Sequence, residues 1–124
     1  MMNHKSQLGR LGENLTCKYF IEKGYKIIER NFRRKWGELD IIVKSPDKTL
    51  IFIEVKTMRE YEAGLKPEDQ LTNSKLKKLK KTASLYAGHN QELIDDDKGW
   101  RIDLLALTIK DKSCVIKHYE NIVA

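Results

Sequence analysis

Leu39-Asp40-Ile41-Ile42-Val43-Lys44-Ser45-Pro46-Asp47-Lys48-Thr49-Leu50-Ile51-Phe52-Ile53-Glu54-Val55-Lys56 is the stretch on which the fold turns. Two strand-like runs, 39–44 and 50–56, flank a Ser-Pro-Asp segment of turn formers. The second run alternates strictly. Ile51, Ile53 and Val55 point one way; Leu50, Phe52, Glu54 and Lys56 point the other. A turn centred on Asp47 brings residues whose numbers sum to about 94 face to face, and a slip of one residue would send Asp40 to the opposite face. In this register Asp40 sits across from Glu54 with Cβ atoms ~5 Å apart, a spacing at which like charges destabilise a sheet. Lys56 follows Glu54 on the same face, a rise of roughly 6.5–7 Å.

Two carboxylates and an ammonium inside strands that otherwise bury Ile, Val and Phe are a local conflict that stability alone does not select. A divalent cation resolves it. Mg²⁺ takes oxygen ligands, uses one or two carboxylates and keeps several waters. It can polarise a phosphoryl oxygen and acidify a water, and a neighbouring lysine can orient that water or offset developing negative charge. The bland alternative is a Glu54–Lys56 salt bridge on a solvated face, which leaves Asp40 without a reason.

The rest of the chain supplies the frame. Its 124 residues suit one domain, 1–124, with a real core. The 40% hydrophobic and 34% charged fractions fit a globular chain and exclude a disordered one. No apolar run is long enough to span a membrane, so no membrane partner is expected. Residues 1–10 are polar and lack the apolar core of a signal peptide, and the only cysteines are Cys17 and Cys114. The expected setting is therefore cytoplasmic, with both thiols reduced. The net charge of +6 allows a polyanionic partner.

Helical spacing over 5–23 gives a stripe of Leu8, Leu11, Leu15 and Tyr19, with Gly24 as a cap. Residues 25–32 read as a strand of open register. Arg33, Arg34 and Lys35, then Gly37, read as a turn, and 58–66 as a loop. Pro67 opens a second helix with Glu68 and Asp69 at its positive end. Leu76, Leu79, Ala83 and Tyr86 form its stripe, and Gly88 closes it. Residues 89–99 are a polar loop; 100–109 and 115–119 are strands. The order α-β-β-β-α-β-β combines a meander with a crossover, giving an α/β fold with a mixed central sheet flanked by helices.

Gly9-x-x-Gly12-Glu13, Arg30-Asn31-Phe32-Arg33, Gly37-Glu38-Leu39-Asp40, Phe52-Ile53-Glu54-Val55-Lys56-Thr57 and Arg101-Ile102-Asp103 occur in this order. Each is weak alone; the joint order and spacing, from Gly9 to the last strand, is specific. It resembles the bacterial YraN-like family, itself similar to the archaeal Holliday junction resolvases and to the restriction-endonuclease-like superfamily. The resemblance implies a restriction-endonuclease-like fold and a nuclease acting on DNA, branched or junction DNA included, with Mg²⁺ or Mn²⁺. It assigns the metal to Asp40, Glu54 and Glu13, with the Val55 carbonyl as a further candidate ligand, and the catalytic lysine to Lys56. Where the family has an arginine after this segment, the chain has Met58, with Arg59 next. Related resolvases act as dimers, so a homodimer is allowed.

Several residues carry two readings. Gly9, Glu13, Cys17 and Phe20 share a helical face, which turns Glu13 inward; the alternative is a surface pair with Arg10. Arg30, Arg33, Arg34 and Lys35 precede the Gly37 turn and could contact phosphates. Lys77, Lys78 and Lys81 lie opposite the apolar stripe and read as solvated. Lys75 flanks the stripe and matches a family lysine, which makes it the site-facing candidate. Arg101 and Asp103 share a strand face and read as a structural pair rather than site residues. His4, His89 and His118 show no zinc spacing. Trp36 and Trp100 read as packing residues rather than base-stacking platforms. Two functions from different classes follow: a metal-dependent nuclease, or a non-catalytic nucleic-acid-binding module that keeps the fold. A protein-interaction scaffold is the third reading, favoured by absence of salt-sensitive nucleic-acid binding.

Overall fold

The computed structural model describes residues 4–60 and 71–123. Helix α1 (His4–Glu22) leads into strands β1 (Lys26–Arg34), β2 (Gly37–Lys44) and β3 (Leu50–Arg59). Helix α2 (Asn73–His89) and a 3₁₀ turn (Gln91–Leu93) precede β4 (Trp100–Ile109) and β5 (Cys114–Tyr119). The five strands form one sheet in chain order. All neighbours are antiparallel except β3 and β4, which run parallel across the connection that holds α2. This is the expected element order and the expected mixed sheet. No helix among the described residues is long and apolar enough to cross a membrane.

The β2–β3 hairpin is pinned by its turn. The Thr49 amide donates to Asp47 Oδ1 (3.1 Å) and to Ser45 Oγ (3.1 Å). The Thr49 hydroxyl donates to the same Asp47 oxygen at 2.8 Å, and the Ser45 hydroxyl bonds to it as well. These donors hold the Asp47 carboxyl down to about 2. Ile41 then pairs with Ile53 and Lys44 with Leu50, the register expected from a turn centred on Asp47.

Both faces of the central strands are covered, as near-continuous apolar runs require. On one face Ile41, Val43, Ile51, Ile53, Leu105 and Leu107 pack with Cys17 and Phe20 of α1. On the other, Leu39, Ile42, Leu50, Phe52 and Ile102 pack with Leu79, Ala83 and Tyr86 of α2. The expected α1 stripe holds in part: Leu15 and Tyr19 pack against the core, but the face is turned away from Leu11. Leu11 is 41% exposed, while Gly12, Thr16, Cys17 and Phe20 face the sheet. Small residues win there because Thr16 returns its hydroxyl to the Gly12 carbonyl (2.7 Å), which lets a polar side chain be buried.

Several boundaries differ from expectation, among them the start of β2, at Gly37 rather than Leu39. Arg33 and Arg34 belong to β1, pairing with Glu38 and Gly37, so the turn is only Lys35-Trp36. Met58 and Arg59 continue β3 because β4 offers partners as far as Thr108 and Ile109. Helix α2 runs one residue past Gly88, with Asn90 as its cap. Its described start is Asn73, where the Thr72 side chain accepts the Lys75 amide (3.2 Å). The Pro67 start, with Glu68 and Asp69, lies outside the described residues. Trp100 packs on the α2-side core, edge-on to Phe52, as expected. Trp36 does not: it is exposed and joins neither apolar cluster. Cys17 and Cys114 are both free thiols.

Gly12 marks the tightest approach of α1 to the sheet. A Cβ there would lie 1.9 Å from Thr57 Oγ1, 3.0 Å from its Cβ and 3.2 Å from its Cγ2. Rotating the threonine cannot relieve all three, so α1 must move. Gly12→Ala is expected to lower unfolding free energy by about 1–3 kcal/mol in chemical denaturation. Gly9→Ala, whose Cβ meets nothing within 4 Å, is expected to be neutral or stabilising by up to about 1 kcal/mol. Equal losses for the two variants would overturn this account of the contact.

Candidate functional site

The β2–β3 ladder stops at Ile41 and Ile53. Beyond that pair, Asp40 Oδ2 accepts the Val55 amide at 2.9 Å, so a side chain takes a donor that a continuing ladder would give to backbone. The same point is irregular on the other side of β2. Phe32 pairs with Leu39 and Arg30 with Ile41, but Asn31 and Asp40 are not paired, and Asn31 has φ +54°. Leu39 and Ile41, two residues apart, accordingly pack on opposite faces of the sheet. The strands part here and a cleft of about 610 Å³ opens between them and the two helices.

The expected acids meet in this cleft. Glu13, Asp40, Glu54 and Lys56 all line it. Beyond the effect of burial, Asp40 raises the Glu54 carboxyl both by its charge and by hydrogen bonding. Lys56 Nζ lies 3.5 Å from Glu54 Oε2, both side chains being about four-fifths buried. Glu13 enters from α1 with its side chain 14% exposed, so of the two readings the inward one holds. Its ionic neighbour is Arg30 at 4.0 Å rather than Arg10.

Lys56 and Arg30 only partly offset the burial of these acids. Burial first, then the Asp40 charge and the shared hydrogen bond, push the Glu54 carboxyl well above the usual range against the pull of Lys56. Burial and Asp40 likewise raise Glu13, while Arg30 and a hydrogen bond from Asn31 draw it down. Glu13 Oε1 and Thr57 Oγ1 are buried with no hydrogen-bond partner. Among the described residues only Asp103, His118 and Glu120 bring three ligand atoms within 4.8 Å of one another. Carboxylates lining one cleft, one with an oxygen that has no hydrogen-bond partner, nonetheless suit a divalent cation such as Mg²⁺ or Mn²⁺. Glu13, Asp40 and Glu54 would hold it.

The rim is cationic. Arg34 and Lys35 line the cleft from the β1–β2 end, Lys75 and Lys78 from α2. A second close approach sets α2 in place, since a Cβ on Gly37 would lie 2.0 Å from Thr82 Oγ1. Arg30 and Arg33 do not line the cleft. Arg30 stands behind Glu13 and donates to Asn14 Oδ1 (2.7 Å), and Arg33 pairs with Glu38 (3.3 Å) on the surface. Lys78 is exposed, as expected, and also lies on the cleft wall; its place one helical turn after Lys75 was the available signal. Thr57 was also missed, though β3 alternation sets it on the α1 face with Ile53 and Val55. Met58 is buried, and exposed Arg59 does not line the cleft.

A second acidic group lies apart from the cleft lining. Asp103, fully buried, accepts Arg101 Nε (2.9 Å) and Nη2 (3.3 Å), the Asn121 amide (2.8 Å) and a contact from His118 Nε2 (2.8 Å). Asp103, His118 and Glu120 offer ligand atoms within 4.8 Å of one another, a grouping that sequence spacing did not reveal. Arg101 reaches Asp103 and Glu120 (3.4 Å), so its guanidinium already supplies the cation. The Arg101–Asp103 pair is structural, as expected.

With Glu54 raised, the native metal-free protein keeps a proton that the unfolded chain has released, so its stability falls as pH rises above the ordinary glutamate range near 4.5. Glu54→Gln removes the charge and keeps a hydrogen-bonding group. It is expected to stabilise the metal-free protein at pH 8 by on the order of 2 kcal/mol and to flatten that pH dependence. Mg²⁺ is expected to raise the melting temperature of the wild type, and chelation to reverse it, with little response from the variant. A destabilised variant that still responds to Mg²⁺ would remove the electrostatic basis of the site.

The model of the uncharacterised protein family UPF0102 matches residues 12–107. A UPF0102 protein of Caldicellulosiruptor bescii is 40% identical over 116 residues, covering 94% of this chain and 93% of its own. One from Syntrophomonas wolfei is 36% identical over 115 residues, covering 93% and 96%. One from Campylobacter jejuni is 41% identical over 115 residues, covering 92% and 91%. The match spans Glu13, Asp40, Glu54, Lys56 and Asp103, so these positions sit within the shared region. The chain belongs to the UPF0102 family, the YraN-like group that its motifs resemble.

Proposed function

We propose that this protein is a divalent-metal-dependent nuclease that hydrolyses DNA phosphodiester bonds. The observation that carries the reading is the set of three buried or half-buried carboxylates, Glu13, Asp40 and Glu54, crowded beside Lys56 with less counter-charge than their burial demands. The likeness to junction resolvases adds branched DNA to the substrates worth offering.

A bound Mg²⁺ or Mn²⁺ would polarise a phosphoryl oxygen and make a water more acidic. The chain's own groups set the rest. Asp40 and Glu54 fix the floor, and the Val55 amide holds Asp40 in orientation. Lys56, kept beside Glu54, presents an ammonium to the charge that builds on the phosphate as water adds to phosphorus and the bond to a bridging sugar oxygen breaks. Arg34, Lys35, Lys75 and Lys78 bind phosphates along the strand and set its register over the acids. Arg30 braces Glu13 from behind.

Labelled linear, single-stranded and four-way-junction DNAs incubated with Mg²⁺ or Mn²⁺ are expected to be cut by the wild type. Asp40→Ala is expected to lose about 10³-fold or more, and Lys56→Met about 10²-fold, with DNA binding retained. Equal cutting by Asp40→Ala would point to a contaminant. Binding without cutting of any substrate would overturn the enzyme and favour the non-catalytic module.

A further inference from the structure

We infer that Trp36 is a stacking platform for an unpaired base, and that the strand entering the cleft is therefore single-stranded or unpaired beside the bond to be cut. This rests on the nucleic-acid reading of the same cleft and names the shape of its substrate. Trp36 is 41% exposed and packs in neither apolar cluster. Its chain neighbours Lys35 and Gly37, and Arg34 before them, line the cleft, so the turn that carries Trp36 borders the cationic rim, while Trp36 itself is not part of the lining. The turn that carries it is held firmly. The Arg34 guanidinium lies over the Phe32 ring (4.3 Å) and donates to the Arg33 carbonyl (2.8 Å). On the other side Gly37 closes against Thr82, whose hydroxyl lies 3.5 Å from the Trp36 carbonyl.

A large aromatic left in water on a rigid turn is the arrangement that single-strand binders use: cations follow the backbone while a ring accepts a base face. Paired bases inside a duplex have both faces stacked and cannot use it. Single strands, gaps and the open centre of a junction can. Charge complementarity favours this occupant, since Arg34 and Lys35 beside Trp36 line the same cleft as Lys75 and Lys78.

The test is binding in chelator, where no cutting intervenes, using a 20-nucleotide single strand, a blunt duplex, and that duplex with a three-nucleotide gap. Trp36→Ala is expected to weaken single-strand and gapped binding about 10-fold and blunt-duplex binding less than twofold. Trp36→Phe is expected to keep most of the affinity but to lose the fluorescence quenching that the single strand causes in the wild type, leaving only Trp100 to report. Equal losses on all three probes, or none, would overturn the platform and leave the nuclease reading standing. A wild type that binds no probe would overturn both. A change in sedimentation with Trp36→Ala, with probe binding unaltered, would make Trp36 a contact between copies of this chain and also overturn it.

Discussion

The Asp40 carboxylate accepting the Val55 amide is the contact on which the geometry of this molecule depends. A hairpin that continued its ladder would have closed β2 onto β3 along their full length and left no room for a site. Here the register is locked at the Asp47 turn, the strands stay paired through Ile41 and Ile53, and a side chain then ends the pairing. The reversal of faces between Leu39 and Ile41, matched by the left-handed Asn31 opposite, lets the two strands diverge without stranding apolar residues in water. A buried backbone donor must be satisfied by something. Satisfying it with an acid fixes that acid at the mouth of the fork.

Two glycines decide how deep the fork is. Gly12 lets α1 settle on Thr57, and Gly37 lets β2 settle on Thr82 of α2, so the helices close on the opening from opposite faces of the sheet. Neither contact tolerates a side chain. The consequence is chemical as well as steric: Glu13 rides on α1 one residue after Gly12, and Lys78 lies one turn before Thr82. The approach that packs each helix also delivers its charged residue to the cleft wall. Fold and site are therefore one problem of close packing.

Much of this was legible in the sequence, and the exceptions have physical causes. The two central strands, their register and the Asp40–Glu54–Lys56 grouping followed from alternation and turn chemistry, because buried strands leave little freedom of register. The α1 face followed only in part from hydrophobic spacing, since the helix buries Gly12 and Thr16 in preference to Leu11, and closeness of approach overrode hydrophobicity. The Arg33-Arg34 segment read as a turn because charge suggests a loop, yet an edge strand with exposed faces accepts arginine readily. Trp36 read as a packing residue because tryptophan usually is one. Only the placement of its two-residue turn reveals that no core reaches it.

The molecule solves the problem of a buried acid twice, in opposite ways, and the contrast separates support from function. Asp103 is wholly buried and yet held below the ordinary aspartate range, because His118, Arg101 and the Asn121 amide together outweigh the cost of burial. Glu54 and Glu13 are raised, because burial penalises their charge, Asp40 adds repulsion, and the cations nearby do not offset the two. A group whose charge is fully matched by its own chain has nothing left to offer a ligand. A group left short of positive charge at the floor of a cation-rimmed cleft still has charge to offer an added cation. The same sheet thus places its settled acid under α1 and its unsettled acids in the fork. It is the unsettled set that aligns with the lysine and with the orphaned oxygens of Glu13 and Thr57.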